Sequence, residues 1–119
     1  MLWDLDGTLV DSSGDITEIL RRIFRDSGVA APSRSEVVRW IGDGAVKLLE
    51  RAFESRQVPF PSDALARFHA HHDACFLNST RPYEGIPELL EELAPGRRMA
   101  VVTNKPAELA RRVLSLIHI

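Results

Sequence analysis

Two short apolar runs constrain the fold of this chain more than any other feature, because each ends abruptly in polar residues. The first, residues 1–3, leads into Asp4, and the second, residues 99–102, leads into Thr103. A continuous apolar run of this kind is typical of a parallel strand that is buried on both faces. Helical spacing of apolar residues fills much of the chain between the two runs. The sequence therefore predicts a parallel α/β core that is interrupted by a helical insertion.

The helices are predicted from apolar residues that recur every three or four positions. Four follow one another without a strand, a fifth precedes the second apolar run, and a sixth follows it. We expect residues 14–80 to form a helical cap, and residues 1–13 and 81–119 to form the core. Open parallel sheets usually have about four strands or more, so a core with two strands is expected to be incomplete. The predicted inward positions are Ile16, Ile19, Leu20, Ile23 and Phe24; a patch over residues 36–41; Ala45, Leu48, Leu49, Ala52 and Phe53; Leu65, Phe68, His69, His72 and Phe76; Ile86, Leu89, Leu90 and Leu93; and Ala110, Val113, Leu114 and Ile117.

The polar residues that follow the two apolar runs are the candidate functional residues, because ligands of open α/β sheets bind at the carboxyl ends of the strands. Asp4 and Asp6 flank Leu5 at the first end, and Thr103 and Asn104 lie at the second. Two carboxylates one residue apart suit a hard cation, and they allow one to attack while the other moves protons. A phosphate between the two loops could accept hydrogen bonds from turn amides and from the Thr103 hydroxyl.

The segments around these residues resemble the haloacid dehalogenase superfamily. Residues 4–12, Asp-Leu-Asp-Gly-Thr-Leu-Val-Asp-Ser, are similar to the first motif of its phosphatases, and residues 102–106, Val-Thr-Asn-Lys-Pro, are similar to the second. Residues 82–86 resemble the segment that re-enters the core after a helical cap. Within the predicted cap, residues 40–45 and 48–52 resemble the phosphoglycolate phosphatase branch. The resemblance implies a Rossmann-like parallel sheet with an inserted helical cap.

The same resemblance implies a magnesium-dependent phosphatase that hydrolyses a small phosphomonoester, with 2-phosphoglycolate preferred, through an aspartyl phosphate. Asp4 would be the nucleophile. Asp6 would protonate the leaving alcohol and later activate the hydrolytic water; the dehalogenase branch lacks an acid at this position, because its leaving group needs no proton. Both aspartates would contact Mg²⁺, Asp6 through its main-chain carbonyl. Main-chain and side-chain groups of Leu5, Gly7, Thr8, Thr103 and Asn104 would hold the phosphoryl oxygens.

Three features outside these motifs have plainer interpretations beside a functional one. Gly42, Asp43 and Gly44 could form a substrate loop of the cap, or only a turn between two helices. The histidines of the fourth helix are expected to be partly buried helix residues and not metal ligands. Cys75, the single cysteine, is expected to be a small core residue, and it cannot form an internal disulfide. A reducing, cytoplasmic setting is therefore expected.

The charge of the chain argues against polyanionic partners. Its formal net charge is -2, and its 15 basic residues are scattered among 17 acidic ones. Such a balance leaves no one-signed surface to attract nucleic acid or an anionic membrane. No apolar run reaches the roughly 18 residues that a bilayer requires, and no secretory signal is evident. A small phosphorylated metabolite is the expected partner, and the oligomeric state stays open.

Departures from the family pattern leave two alternatives. The family's phosphate-binding lysine, and a Gly-Asp pair with a further aspartate, would fall beyond residue 119; Lys105 belongs to the second motif and is not that lysine. The start before Asp4 and the closing residues 115–119 also differ, which indicates a truncated or frame-shifted chain. One alternative is thus an incomplete fragment that acts at most as a phosphate-binding, metal-binding or interaction module. The other is a sugar-phosphate phosphatase or phosphomutase of the same superfamily.

Overall fold

The computed structural model describes residues 1–75 and 78–116, and within them it has the predicted order of strands and helices. The predicted positions Phe76 and Ile117 lie outside the described residues. Two further short strands, before the first helix and after the fourth, were not predicted. The elements in chain order are β1 (Leu2–Trp3), β2 (Val10–Asp11), α1 (Ser13–Asp26), α2 (Arg34–Trp40), α3 (Ala45–Ser55), α4 (Ala64–Cys75), β3 (Arg81–Pro82), α5 (Ile86–Leu93), β4 (Ala100–Val101) and α6 (Ala107–Leu116).

The two predicted strands pair in parallel, as expected for an α/β fold. Leu2 lies opposite Ala100, and Trp3 lies opposite Val101. The Val102 N–H donates to the Trp3 carbonyl oxygen at 2.8 Å, so the pairing continues past the last strand residue. Because the two strands are parallel, their carboxyl ends lie at the same edge of the sheet. The pairing of β1 with β4 therefore brings the two candidate loops together.

Burial of β4 on both faces, which the apolar run predicted, is wrong for the described part of the chain. Val102, the last residue of the apolar run that contains β4, is 60% exposed, and Leu2 of the paired strand β1 is 74% exposed. Side chains alternate between the two faces of a strand, and here α5 and α6 cover one of them. Trp3 and Val101 turn toward that covered face, where they pack against a cluster formed by Leu5, Leu9, Val10, Leu90, Ala110 and Val113.

Leu89 was also expected to face inward, and that prediction is wrong, because Leu89 is 38% exposed. Leu90, which was also expected to face inward, is buried in the core as predicted. Neighbouring helix residues point about 100° apart, so both cannot face a sheet that covers one narrow side of the helix.

The four consecutive helices pack around a core of their own, which we call the helical block (α1–α4). The five apolar positions predicted for α1 are all buried in it. Phe24 of α1 and Phe53 of α3 lie with their ring centroids 5.0 Å apart. Ser33 begins α2 with a capping box, in which its hydroxyl accepts from the Glu36 N–H and the Glu36 carboxylate accepts from the Ser33 N–H. Within the described residues no helix is both long enough and apolar enough to span a membrane.

A short antiparallel pair and one buried carboxylate join the helical block to the rest of the chain. β2 pairs with β3, with Val10 opposite Pro82. The Asp15 carboxylate, at the start of α1, accepts hydrogen bonds from the N–H and hydroxyl groups of Ser79 and Thr80, at 2.6 to 2.9 Å. The segments that enter and leave the block are therefore fastened to each other beside the sheet.

Candidate active site

A cavity of about 240 Å³ lies between the carboxyl end of the β1–β4 pair and the helical block. Its aspartates, Thr103, Asn104 and Lys105 come from the loops that follow the two strands, whereas its two histidines and most of its apolar residues come from the helices. Six of the residues that line it were predicted from the motifs or the cap loop to be functional: Asp4, Asp6, Thr103, Asn104, Gly42 and Gly44. The other lining residues are Lys105, His69, His72, Ile16, Ile41, Ala45, Val46, Leu48, Leu65, Phe68, Pro106 and Leu109.

The first loop exposes Asp4 at its tip and holds Leu5 in the core. The Leu5 carbonyl oxygen accepts from the N–H groups of Thr8, Leu9 and Val10 at 3.0 to 3.2 Å, which folds the chain back directly after β1. Gly7 has a φ of 81°, a left-handed conformation that glycine adopts without strain. This turn places Asp4 and Asp6 on the cavity, whereas Leu5, Gly7 and Thr8 do not line it.

The main-chain N–H groups of that turn donate within the chain. The Leu5 N–H donates to Asp4 Oδ1 at 2.8 Å. The Gly7 N–H donates to the Val10 carbonyl oxygen at 2.9 Å, and the Thr8 N–H donates to Leu5 at 3.2 Å. A phosphate bound here would have to replace some of these bonds, so the part of Leu5, Gly7 and Thr8 in phosphate binding stays a prediction.

The Asp6 carboxylate is held from two sides. The Ser12 hydroxyl donates to Asp6 Oδ1 at 2.8 Å. The Lys105 ammonium lies 3.3 Å from Asp6 Oδ2, and the Lys105 side chain is only 8% exposed. The sequence interpretation gave Lys105 no role. The signal that could have found it is position, because a lysine two residues after Thr103 must lie near the end of β1 once the strands are parallel.

His72 of α4 reaches the same ammonium from the helical block. Its Nε2 atom lies 3.5 Å from Lys105 Nζ, and the imidazole is buried, as the apolar stripe predicted. Burial lowers the pKa of His72 to about 4, with the Lys105 ammonium as the next cause. The ring is therefore neutral at pH 7, and Nε2 can accept a hydrogen bond.

The glycine-rich turn between α2 and α3 touches the second candidate loop. The Asn104 side-chain amide donates to the Gly42 carbonyl oxygen at 3.2 Å. Asp43 points to Arg51, whose guanidinium also donates to the Trp40 carbonyl oxygen at 3.1 Å. The structure thus brings Gly42 and Gly44 to the cavity, while Asp43 acts in an ion pair beside it.

The acidic residues at the cavity offer the oxygen ligands that Mg²⁺ prefers, but these residues alone are too few to complete its coordination. Mg²⁺ prefers about six oxygen ligands, several of them water. Asp4 and Asp6 both line the cavity, and each carries oxygen atoms of the kind that Mg²⁺ prefers. Across residues 1–75 and 78–116, no group of three or more His, Cys, Asp or Glu side chains is arranged to hold a metal.

Comparison with known proteins agrees with this arrangement. The family model for haloacid dehalogenase-like hydrolases matches residues 1–119. A phosphoglycolate phosphatase from Colwellia psychrerythraea is 35% identical over 97% of this chain and 54% of its own length. One from Aquifex aeolicus is 33% identical over 100% of this chain and 55% of its own length.

The fold has relatives among solved structures as well. The crystal structure of a predicted phosphoglycolate phosphatase from Haemophilus somnus superposes with a TM-score of 0.85 at 31% identity, over 97% of this chain and 55% of that one. The chain thus spans about half the length of the relatives it matches. By its sequence motifs, its parallel strand pair and these matches, the chain belongs to the haloacid dehalogenase-like hydrolase family.

Proposed function

We propose that this chain carries the nucleophile, the acid–base residue and part of the phosphate site of a phosphatase that hydrolyses a small phosphomonoester. The observation that carries the proposal is the shared cavity, which Asp4, Asp6, Thr103 and Asn104 all line. A carboxylate nucleophile and a separate carboxyl group for proton transfer are the two groups that such a reaction needs. In this proposal the helical block is the cap that covers the substrate.

The reaction proceeds in two steps in this proposal. The Asp4 carboxylate attacks phosphorus, the bond from phosphorus to the alcohol oxygen breaks, and the Asp6 carboxyl group gives its proton to the leaving alcohol. Water then attacks the aspartyl phosphate, with Asp6 taking a proton from it, and inorganic phosphate leaves as Asp4 is regenerated. The Thr103 hydroxyl and the Asn104 loop orient the phosphoryl oxygens, since phosphoryl transfer depends mainly on positioning and charge neutralisation.

Magnesium is the cofactor that we propose for this site. Asp4 and the Asp6 carbonyl would hold it, and the cation would neutralise phosphoryl charge as the bond to the alcohol breaks. The preferred substrate is 2-phosphoglycolate. Support for it comes from the named phosphoglycolate phosphatases at 35% and 33% identity, and from the small cavity. The single cysteine favours a reducing, cytoplasmic setting.

Asp4→Asn tests the mechanism, because it removes the nucleophilic oxygen with little change in shape. Phosphate release from 2-phosphoglycolate, with Mg²⁺ present, should fall by about 1000-fold or more. Asp63→Asn is the matched control, since Asp63 is exposed and lies outside the cavity. Normal turnover by Asp4→Asn would reject the mechanism, and phosphate transfer to a sugar in place of water would identify a phosphomutase.

A second candidate function is binding of phosphate or Mg²⁺ without turnover. It is favoured by the small number of acidic groups at the cavity, where Asp4 and Asp6 are the acidic residues in the lining. Titration with inorganic phosphate and with Mg²⁺, followed by NMR, would detect such binding in the wild-type chain. Binding that Asp4→Asn weakens, in a chain that releases no phosphate from any phosphomonoester tested, would support this candidate over the enzyme.

A further inference from the structure

Lys105 places a positive charge where few lysines are found. Its side chain is 8% exposed, and it follows the β4 strand end by way of a turn in which the Lys105 N–H donates to Thr103 Oγ1 at 3.1 Å. An ammonium group loses much of its hydration on burial, so it is stable there only with close polar partners. Lys47, the other lysine in the chain, is 60% exposed and pairs with Glu50 on the surface.

The partners of Lys105 come from two other parts of the fold. Asp6 Oδ2, from the loop after β1, lies 3.3 Å from Lys105 Nζ. His72 Nε2, from α4 of the helical block, lies 3.5 Å from it. Since burial keeps the imidazole neutral, its Nε2 atom can face the ammonium as an acceptor. One ammonium group therefore connects the helical block to the first loop.

The effect of this contact falls on the orientation of Asp6. The Ser12 hydroxyl binds Oδ1 and the Lys105 ammonium binds Oδ2, so the two oxygens of the carboxylate are restrained on opposite sides. A carboxyl group that transfers protons must be held within hydrogen-bonding distance of the reacting oxygen. If Lys105 were removed, the Ser12 hydroxyl would be the one side-chain group among the described residues that still restrains the rotation of the Asp6 carboxylate.

We propose that Lys105 is a positioning residue that orients Asp6 for proton transfer to the leaving alcohol, and that His72 of the helical block holds Lys105 in place. The inference rests on the proposed function. Lys105 transfers no proton itself; the proton moves from the Asp6 carboxyl group to the alcohol oxygen as the bond from that oxygen to phosphorus breaks.

Two substrates separate this role from a general structural one. An alkyl phosphate such as 2-phosphoglycolate needs a proton on its leaving oxygen, whereas p-nitrophenyl phosphate releases a stable phenolate that does not. For Lys105→Met we expect kcat/KM for the alkyl phosphate to fall by about tenfold or more, with kcat/KM for p-nitrophenyl phosphate within about twofold of wild type. Lys105→Arg, which keeps the charge, should recover part of the loss. Lys47→Met is the matched control and should change neither value.

The His72 contact is tested through the Lys105 ammonium. Buried NH₃⁺ protons exchange slowly with water, so the ¹H–¹⁵N signal of Lys105 should persist where that of exposed Lys47 is lost. His72→Phe should speed the exchange and lower turnover of the alkyl phosphate in the same direction as Lys105→Met. His72→Gln, which keeps a polar acceptor, should restore both toward wild type.

Each result decides the matter. Equal losses for both substrates, with a raised KM, would overturn the proposal and make Lys105 a phosphate-binding residue. Fast ammonium exchange in the wild-type chain would overturn it by removing the contact, whatever the turnover. A wild-type chain with a protected ammonium signal and no turnover of either substrate would overturn the proposed function, and the positioning role with it. Loss confined to the alkyl phosphate supports both.

Discussion

Replacing Asp15 with alanine should destabilise this chain more than most single substitutions. Asp15 is buried at the start of α1, and its carboxylate accepts four hydrogen bonds from Ser79 and Thr80. These bonds join positions 64 and 65 residues apart in sequence. In Asp15→Ala the two hydroxyls can turn to other acceptors, whereas the two N–H groups lose theirs.

The expected loss follows from those two N–H groups. A hydrogen bond to a charged acceptor contributes about 1.5–3 kcal/mol net. Two such bonds give a loss of about 3–6 kcal/mol in the free energy of unfolding, and partial relaxation of the segment around Ser79 places the value toward the lower end. Domains of this size have total stabilities of about 5–15 kcal/mol. Asp15→Ala should therefore remove a large part of the stability of the chain.

Urea unfolding followed by circular dichroism measures this loss. Asp15→Asn keeps the shape and one acceptor oxygen, so its loss should lie between those of wild type and Asp15→Ala. Asp63→Ala is the control, because Asp63 is exposed and its ion pair with Arg67 is long, at 3.9 Å. A loss below about 1 kcal/mol for Asp15→Ala, the range of ordinary substitutions, would refute the reasoning.

Three further predictions concern pH, close packing and the helical core. Burial lowers the pKa of His72 from 6.5 to about 4, so the imidazole binds a proton more tightly in the unfolded chain than in the folded one. The folded chain therefore keeps its full stability above pH 6.5 and loses the contribution of neutral His72 as the pH falls from 6.5 toward 4. The difference in unfolding free energy between pH 7 and pH 4 should be smaller in His72→Phe by up to about 3 kcal/mol; equal differences would contradict the shift. Gly14→Ala should destabilise the chain, because its Cβ would lie 2.6 Å from Ser79 Oγ and displace a hydrogen bond of Asp15; Gly28→Ala, which meets no atom within 4 Å but has a φ of 69°, separates the effect of collision from that of backbone strain. Phe53→Ala should lose about 3–5 kcal/mol in urea unfolding, since the ring is buried against Phe24; a loss no larger than that of Phe53→Leu would contradict the packing.

The sequence predicted the helices and the parallel pair well, because both follow from local patterns. The α1 stripe from Ile16 to Phe24 repeats at helical spacing, and every member is buried. The apolar run at residues 99–102 predicted a strand correctly and its burial incorrectly. An apolar run shows that a strand is suited to burial. Whether Val102 is in fact buried depends on which helices pack on each face of the sheet, and that is not written in the run itself.

The candidate site was predictable as far as its motifs reach. Asp4 and Thr103 were expected to meet because parallel strands end at one edge, and both line the cavity. The contact of Lys105 with His72 was not predicted, because it depends on how α4, which is 33 residues away in sequence, approaches the loop after β4. The pairing of β2 with β3 was missed for a related reason, since two-residue strands carry no alternating pattern to detect.

The register of β1 against β4 makes this chain sensitive to length as well as to identity. Trp3 and Val101 are paired opposite each other, and Thr103 follows two residues later. Inserting a single residue between Met99 and Thr103 would advance the loop by about 3.3 Å and turn each following side chain to the opposite face. In-frame insertions and deletions in this stretch should therefore be tolerated far less well than conservative replacements of the same residues.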